Sequence, residues 1–232
     1  MSLLVLDSID FKVDVEKLLE KLHMDRDSDD IDDLLRLVEI ANEIGRPKAM
    51  YKEAIVEVKG KDYVVVDGVK FTSHILRVNL DAVDRIFPYV CTCGSELNQW
   101  AKSLDDFLEQ YWMDKIMELA LQRAVEAFES HLEANFKLGT TSNMNPGSLE
   151  DWPISQQSEL FTLLDNPHEK IGVELTDSYL MLPMKSVSGI RFSSDIDFIN
   201  CQLCPRERCE NRRAGFDEHL YNKRYKGKNI SK

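Results

Sequence analysis

The sequence predicts an α+β protein. Two amphipathic helices open the chain, strand-like segments joined by tight turns follow, and the longest periodic stretch is again helical. Regular strand–helix–strand alternation is absent, so a mixed or antiparallel sheet carrying long helices and an N-terminal helical lobe is expected.

Residues 12–24 place Val13, Leu18, Leu19 and Leu22 on one side at helical spacing. The acidic run at 25–33 interrupts this pattern, and Ser28 reads as the N-cap of a second helix with acidic residues in its first turn. Gly45 and Pro47 stop that helix near Ile44. From Met50 the chain alternates apolar and polar residues around Lys59-Gly60, which predicts a hairpin. Another strand follows the Asp67-Gly68 turn. A short amphipathic helix over residues 80–86 leads into PYVCTCG, read as a buried strand with Cys91 and Cys93 at its C-terminal end. Between residues 103 and 136, Leu104, Phe107, Leu108, Tyr111, Trp112, Ile116, Leu119, Ala120 and Phe128 recur at three- and four-residue spacings, the mark of a long helix. The segment LGTTSNMNPGSLEDWP, residues 138–153, is expected as an ordered functional loop. A helix over 154–164, strands over 171–175 and 188–192, and a helix over 212–224 complete the reading. The organisation expected is an N-terminal helical segment (1–48), an α+β core (49–200) and a cysteine-rich basic segment (201–232).

With 232 residues, 43% hydrophobic and 30% charged, the composition is that of an ordinary globular chain able to bury a core. The net charge of −12 argues against nucleic acid, because phosphate binding needs a basic surface. No apolar run approaches a membrane span, and the opening MSLLVLDSIDF lacks the basic flank of a signal peptide. A cytoplasmic location with no membrane partner is the expectation. Phosphate loops, nucleophile elbows and dinucleotide fingerprints are not found in the sequence.

Residues 119–192 carry three pieces in a telling order: Glu126-Ala127-Phe128 on the long helix, Asn145-Pro146-Gly147 in the loop, and LTDSYLMLPMKSVSG from Leu175 to Gly189. This block resembles the activation domain of cobalamin-dependent methionine synthase, here as a free-standing, divergent member. The resemblance implies that fold, and a shallow groove for S-adenosylmethionine. In the family that methyl donor, with an electron from a flavoprotein, rescues oxidised cobalamin. It further implies ligand contacts from Glu126, Asn145, Pro146 and Gly147, with Ser186, Ser188 and Gly189 shaping the groove and a docking surface. Asn143 and Ser148 stand where the family loop has an arginine and a tyrosine. Since the chain shows no cobalamin-binding module, it would act on cobalamin held by a partner, a corrinoid methyltransferase.

Five cysteines, an odd number, do not form a disulfide framework. Cys201, Cys204 and Cys209 fall within nine residues, outside the family pattern as the resemblance defines it. Soft sulfur ligands at such spacing point to zinc or an iron–sulfur cluster, with Cys93 as the favoured fourth ligand, Cys91 as an alternative and His219 as a weaker one. Arg206, Arg208, Arg212 and Arg213 would offset the charge of such a centre. Three readings therefore stand: an accessory protein for reductive reactivation of a corrinoid methyltransferase through a cysteine-bound centre, a non-catalytic module for an S-adenosylmethionine-like ligand, and a zinc-stapled scaffold.

Overall fold

The computed structural model describes residues 3–194, 198–209 and 212–225. The chain opens with β1 (Leu3–Leu6), a strand not foreseen in the sequence, which pairs antiparallel with β2 (Lys48–Lys52). Between them lie α1 (Val15–Leu22) and α2 (Ile31–Ile44). Asp14 caps α1 by accepting the Lys17 amide, and His23 ends it in the left-handed conformation. The second helix starts later than Ser28 implied: residues 25–30 form turns, and Asp30 occupies the cap position.

The foreseen hairpin is β3 (Ala54–Lys59) with β4 (Tyr63–Val66), and β5 (Val69–Thr72) follows through the Asp67-Gly68 turn. Here the expected helix over 80–86 is displaced. The helix is α3 (His74–Asn79), and β6 (Arg85–Thr92) already begins where the helix was expected to end. Ser73 is the reason, since its hydroxyl accepts the Leu76 amide at 2.9 Å. Asp151, distant in sequence, accepts the Ile75 amide at 2.9 Å and the Ser73 hydroxyl. Two side chains thus cap a helix that local periodicity places elsewhere.

Next come α4 (Ser95–Ser103) and the long helix α5 (Phe107–Phe136), capped by Asp106. The segment read as a loop contains a short strand, β7 (Thr141–Met144). Helices α6 (Gln157–Leu163) and α7 (Pro167–Ile171) precede a two-stranded ribbon of β8 (Glu174–Leu175) and β9 (Met181–Leu182). Strand β10 (Ser186–Ser193) then returns to the main sheet. The end of the chain is less regular than the helix expected over 212–224: Glu218–Leu220 is helical and Tyr221–Tyr225 closes as a π turn. Of the basic tail from Arg206 to Lys232, residues 210–211 and 226–232 lie outside the described residues.

Strand β6 is the hub of the sheet. One edge pairs with β2 and β3, and the other pairs with β10, which in turn pairs with β7. Among the described residues the named strands all pair antiparallel, as the absence of βαβ alternation implied, and a single isolated bridge, Asn143 to Ile199, is parallel. Alternation along β6 divides the interior into two layers. Ile86 and Val90 face a core with Val64, Phe71, Trp152, Ile190 and Phe192. Phe87, Tyr89 and Cys91 face the C-terminal half of α5 through Ala124, Phe128 and Leu132. The N-terminal half of α5 builds a third core with the helical lobe, where Leu18, Leu34, Trp112 and Ile116 are buried. Each such side chain contributes roughly 1.5–3 kcal/mol on burial. Among the described residues no helix is long and apolar enough to cross a membrane.

Candidate functional site

A groove of about 700 Å³ runs between α5 and the β6–β10–β7 side of the sheet. Its helix wall carries Glu118, Leu121, Gln122, Val125 and Glu129, which recur at three- and four-residue intervals along α5. Tyr89, Val187 and Arg191 come from the sheet face that α5 covers, and β7 and the residue after it add Asn143 and Asn145. Arg212 and Arg213 close one end.

The floor is a polar network. The Asn145 side-chain amide donates to the Ser188 carbonyl at 2.6 Å and to the Tyr89 hydroxyl at 3.3 Å. Its Oδ1 accepts from Asn143 Nδ2 at 2.8 Å and from Asn200 Nδ2 at 3.1 Å. Gly189 lies beneath this amide, since a Cβ there would stand 2.5 Å from Asn145 Nδ2. Gly147, at φ +81°, takes a left-handed turn and donates its N–H to Trp152 O at 2.7 Å. Ile154 fills the space a Gly147 side chain would need.

Burial governs the electrostatics. Tyr89 stacks on Phe128 with ring centroids 4.5 Å apart, and burial raises its hydroxyl pKa. Arg191 is largely enclosed and pairs with Glu129 across the groove. Burial lowers its pKa, and the nearby Arg213 cation lowers it further.

Residues 148–211 match a family model described as vitamin B12 dependent methionine synthase, activation domain. That segment of the chain is similar to the activation-domain family. A crystal structure described as the MetH reactivation domain bound to AdoHcy has the same fold, with a TM-score of 0.59 at 14% identity. The likeness covers 86% of this chain and 81% of that one. No match was found among curated proteins.

The activation-domain match begins after Glu126 and the Asn145–Gly147 turn and runs through Cys201, Cys204 and Cys209. Of the residues singled out in the sequence, Asn145 lines the groove and Gly189 supports its floor. Pro146 and Gly147 form the turn that follows Asn145. Glu126 lies on α5 outside the groove, bonded to Gln122 at 3.0 Å and bordering a small depression with Phe11 and Lys12. Ser186 and Ser188 face the other side of the sheet. Ser188 Oγ donates to the buried Gln157 at 3.0 Å, and Ser186 Oγ donates to Thr92 Oγ1 at 2.8 Å.

The cysteines do not converge on a common centre. Among the described residues no group of three or more His, Cys, Asp or Glu side chains is placed to hold a metal ion. Cys93 is sealed in the helical-lobe core, whereas Cys204 packs against the core on the opposite layer and Cys209 is exposed. Burial pushes the Cys93 thiol up to about 12 and raises that of Cys91 as well. Cys201 differs, because its sulfur accepts the Arg213 N–H at 3.4 Å, and this bond lowers its pKa. The arrangement therefore does not fit the four-cysteine ligand set that spacing suggested.

Sequence reasoning passed over Arg191, Tyr89 and Glu129. Local pattern does not mark them; the register of the folded sheet does, placing Arg191 directly opposite Asn143 on β7.

Proposed function

We propose that this chain is an accessory protein in the reductive reactivation of a corrinoid methyltransferase, and that its α5–β10 groove receives an S-adenosylmethionine-type ligand. The observation that carries this reading is the groove itself, with an aromatic ring, an apolar wall and enclosed arginine, in a fold shared with a reactivation domain described as bound to AdoHcy. When bound, the ligand would supply a methyl group to a cobalamin carried by the partner. The chain's own residues would hold and orient it, with Tyr89 and Val187 below, Leu121 and Val125 beside it, and Arg191 at one end. Small-molecule sites combine apolar walls with a few fixed polar groups in this way.

Calorimetry with S-adenosylmethionine and S-adenosylhomocysteine tests the binding half. Recovery of an oxidised corrinoid protein's methylated spectrum, with ligand and reductant present, tests the other half. Binding without recovery would leave a ligand-binding module, and no binding to either compound would sink the reading.

A zinc or iron–sulfur centre on Cys201, Cys204 and Cys209 is a finer form of the same reading, favoured by the three sulfurs in nine residues. It would require the segment to rearrange around the metal. Metal and labile-sulfide analysis of protein purified without oxygen decides it, with Cys204→Ala as the control that must lose the metal.

A further inference from the structure

We propose that Cys201 and Cys204 form a redox-active dithiol that closes to a disulfide by exchange with a low-molecular-weight disulfide, and that closure is transmitted to the groove through Arg213. The proposal does not depend on which ligand the groove receives.

The two cysteines stand at the ends of one turn. Residues Asn200–Leu203 form a 3₁₀ turn with Cys204 as its C-cap, and the Cys204 N–H donates to the Cys201 carbonyl at 3.3 Å. Such a turn holds its end Cα atoms within about 7 Å, and side chains three residues apart in it eclipse. Both sulfurs therefore leave the turn from one side. A disulfide bridges Cα atoms roughly 4.4–6.8 Å apart, a spacing that such a turn supplies with rotation of the side chains alone.

The turn is held firmly. Asn200 and Leu203 are buried, and Asn200 Nδ2 donates to Asn145 Oδ1 at 3.1 Å. The Arg212 guanidinium donates to the carbonyls of Cys201 at 3.3 Å and Cys204 at 3.4 Å, bracing both ends. A second thiol fixed in this way acts at high effective concentration once the first has reacted. Cys209 lies outside the turn and is exposed. A metal on all three sulfurs would require the segment to rearrange, whereas a disulfide on the first two does not.

Cys204 packs against the core, which leaves Cys201 as the attacking sulfur. Cys201 gives its proton to water and attacks one sulfur of the incoming disulfide, breaking that S–S bond and releasing one thiolate, which is protonated. Cys204 then gives up its proton and displaces the second thiolate from Cys201, and that thiolate is protonated in turn. The pair loses two electrons and two protons, and the small disulfide gains them as two thiols. A dithiol reductant reverses both steps.

Closure reaches the groove through one hydrogen bond. In the dithiol, Cys201 Sγ accepts the Arg213 N–H at 3.4 Å, and Arg213 lines the groove. Turning that sulfur towards Cys204 withdraws the acceptor.

The test treats the whole chain carrying Cys209→Ser, reduced and freed of reductant, with glutathione disulfide. Native alkylation should then find both partly exposed thiols, Cys201 and Cys204, lost, and mass analysis should show a loss of two hydrogens with no adduct. Adding Cys204→Ser should stop the exchange at a glutathione adduct on Cys201. An adduct that persists on Cys201 with Cys204 present overturns the dithiol. So does a stoichiometric metal on the reduced protein that keeps both thiols from closing. The Arg213 amide resonance reads the transmission: it should shift on oxidation, and a disulfide that leaves it unmoved overturns that half. Failure of S-adenosylmethionine to bind would sink the ligand reading and leave every one of these outcomes intact.

Discussion

The side-chain amide of Asn145 rests directly over Gly189, donating to the adjacent Ser188 carbonyl at 2.6 Å where a Cβ on residue 189 would leave only 2.5 Å to Nδ2. This contact seats the residue after β7 on β10 and sets the height of the groove floor.

Gly189→Ala should therefore destabilise the protein by about 1–3 kcal/mol, the usual cost of overpacking a close contact. Asn145→Ala should cost about 1–3 kcal/mol, because the Ser188 carbonyl and the Asn143 and Asn200 amides lose their partner together. Urea denaturation measures both. A Gly189→Ala protein as stable as wild type would show that the contact is not close in solution.

A pH dependence follows from Glu118, whose carboxyl pKa is lowered first by its hydrogen bond from Lys21 and then by that lysine's charge. The 2.9 Å pair joins α1 to α5, and with side chains 34% and 35% exposed its worth is below about 1 kcal/mol. Because the folded-state pKa lies below the unfolded one, the stabilisation is complete above the ordinary glutamate range and fades as pH falls through the folded value. The stability gap between wild type and Glu118→Gln should accordingly shrink from pH 6 to pH 3. A gap that stays constant across that range would refute the assignment.

Thiol accessibility should separate the cysteines by location. Cys91 and Cys93 are buried, while Cys201, Cys204 and Cys209 are partly or fully exposed. A chromogenic disulfide reagent should label the last three in native protein and reach the first two only after denaturation. Rapid native labelling of Cys93 would contradict its place in the helical-lobe core.

Much of the fold was legible because it rests on local pattern. The spacing of Trp112, Ile116, Leu119 and Phe128 marks α5 without reference to anything else, and Asp67-Gly68 marks a turn on its own. The displaced helix α3 was not legible, since its cap depends on Asp151, 78 residues beyond Ser73. The site divides in the same way. Asn145 and Gly189 are singled out only because they fall in the pieces that resemble the activation domain. Tyr89 and Arg191 are not, because PYVCTCG reads as uniformly apolar and only the pairing of β6 with β10 shows which residues share a face. Ser186 and Ser188 illustrate the converse: they lie in the most distinctive stretch of the sequence, yet alternation turns both away from the groove.

The 30-residue α5 is at once a wall of the helical lobe, the cover of the sheet and one bank of the groove. A rod of that length spans about 45 Å at the helical rise. Any partner that leans on the lobe at α1 or α2 therefore pushes on the same beam that sets the width of the groove. Trimming the chain to its sheet would strip Trp112 and Ile116 of their cover and loosen the mounting of Glu129 several turns away.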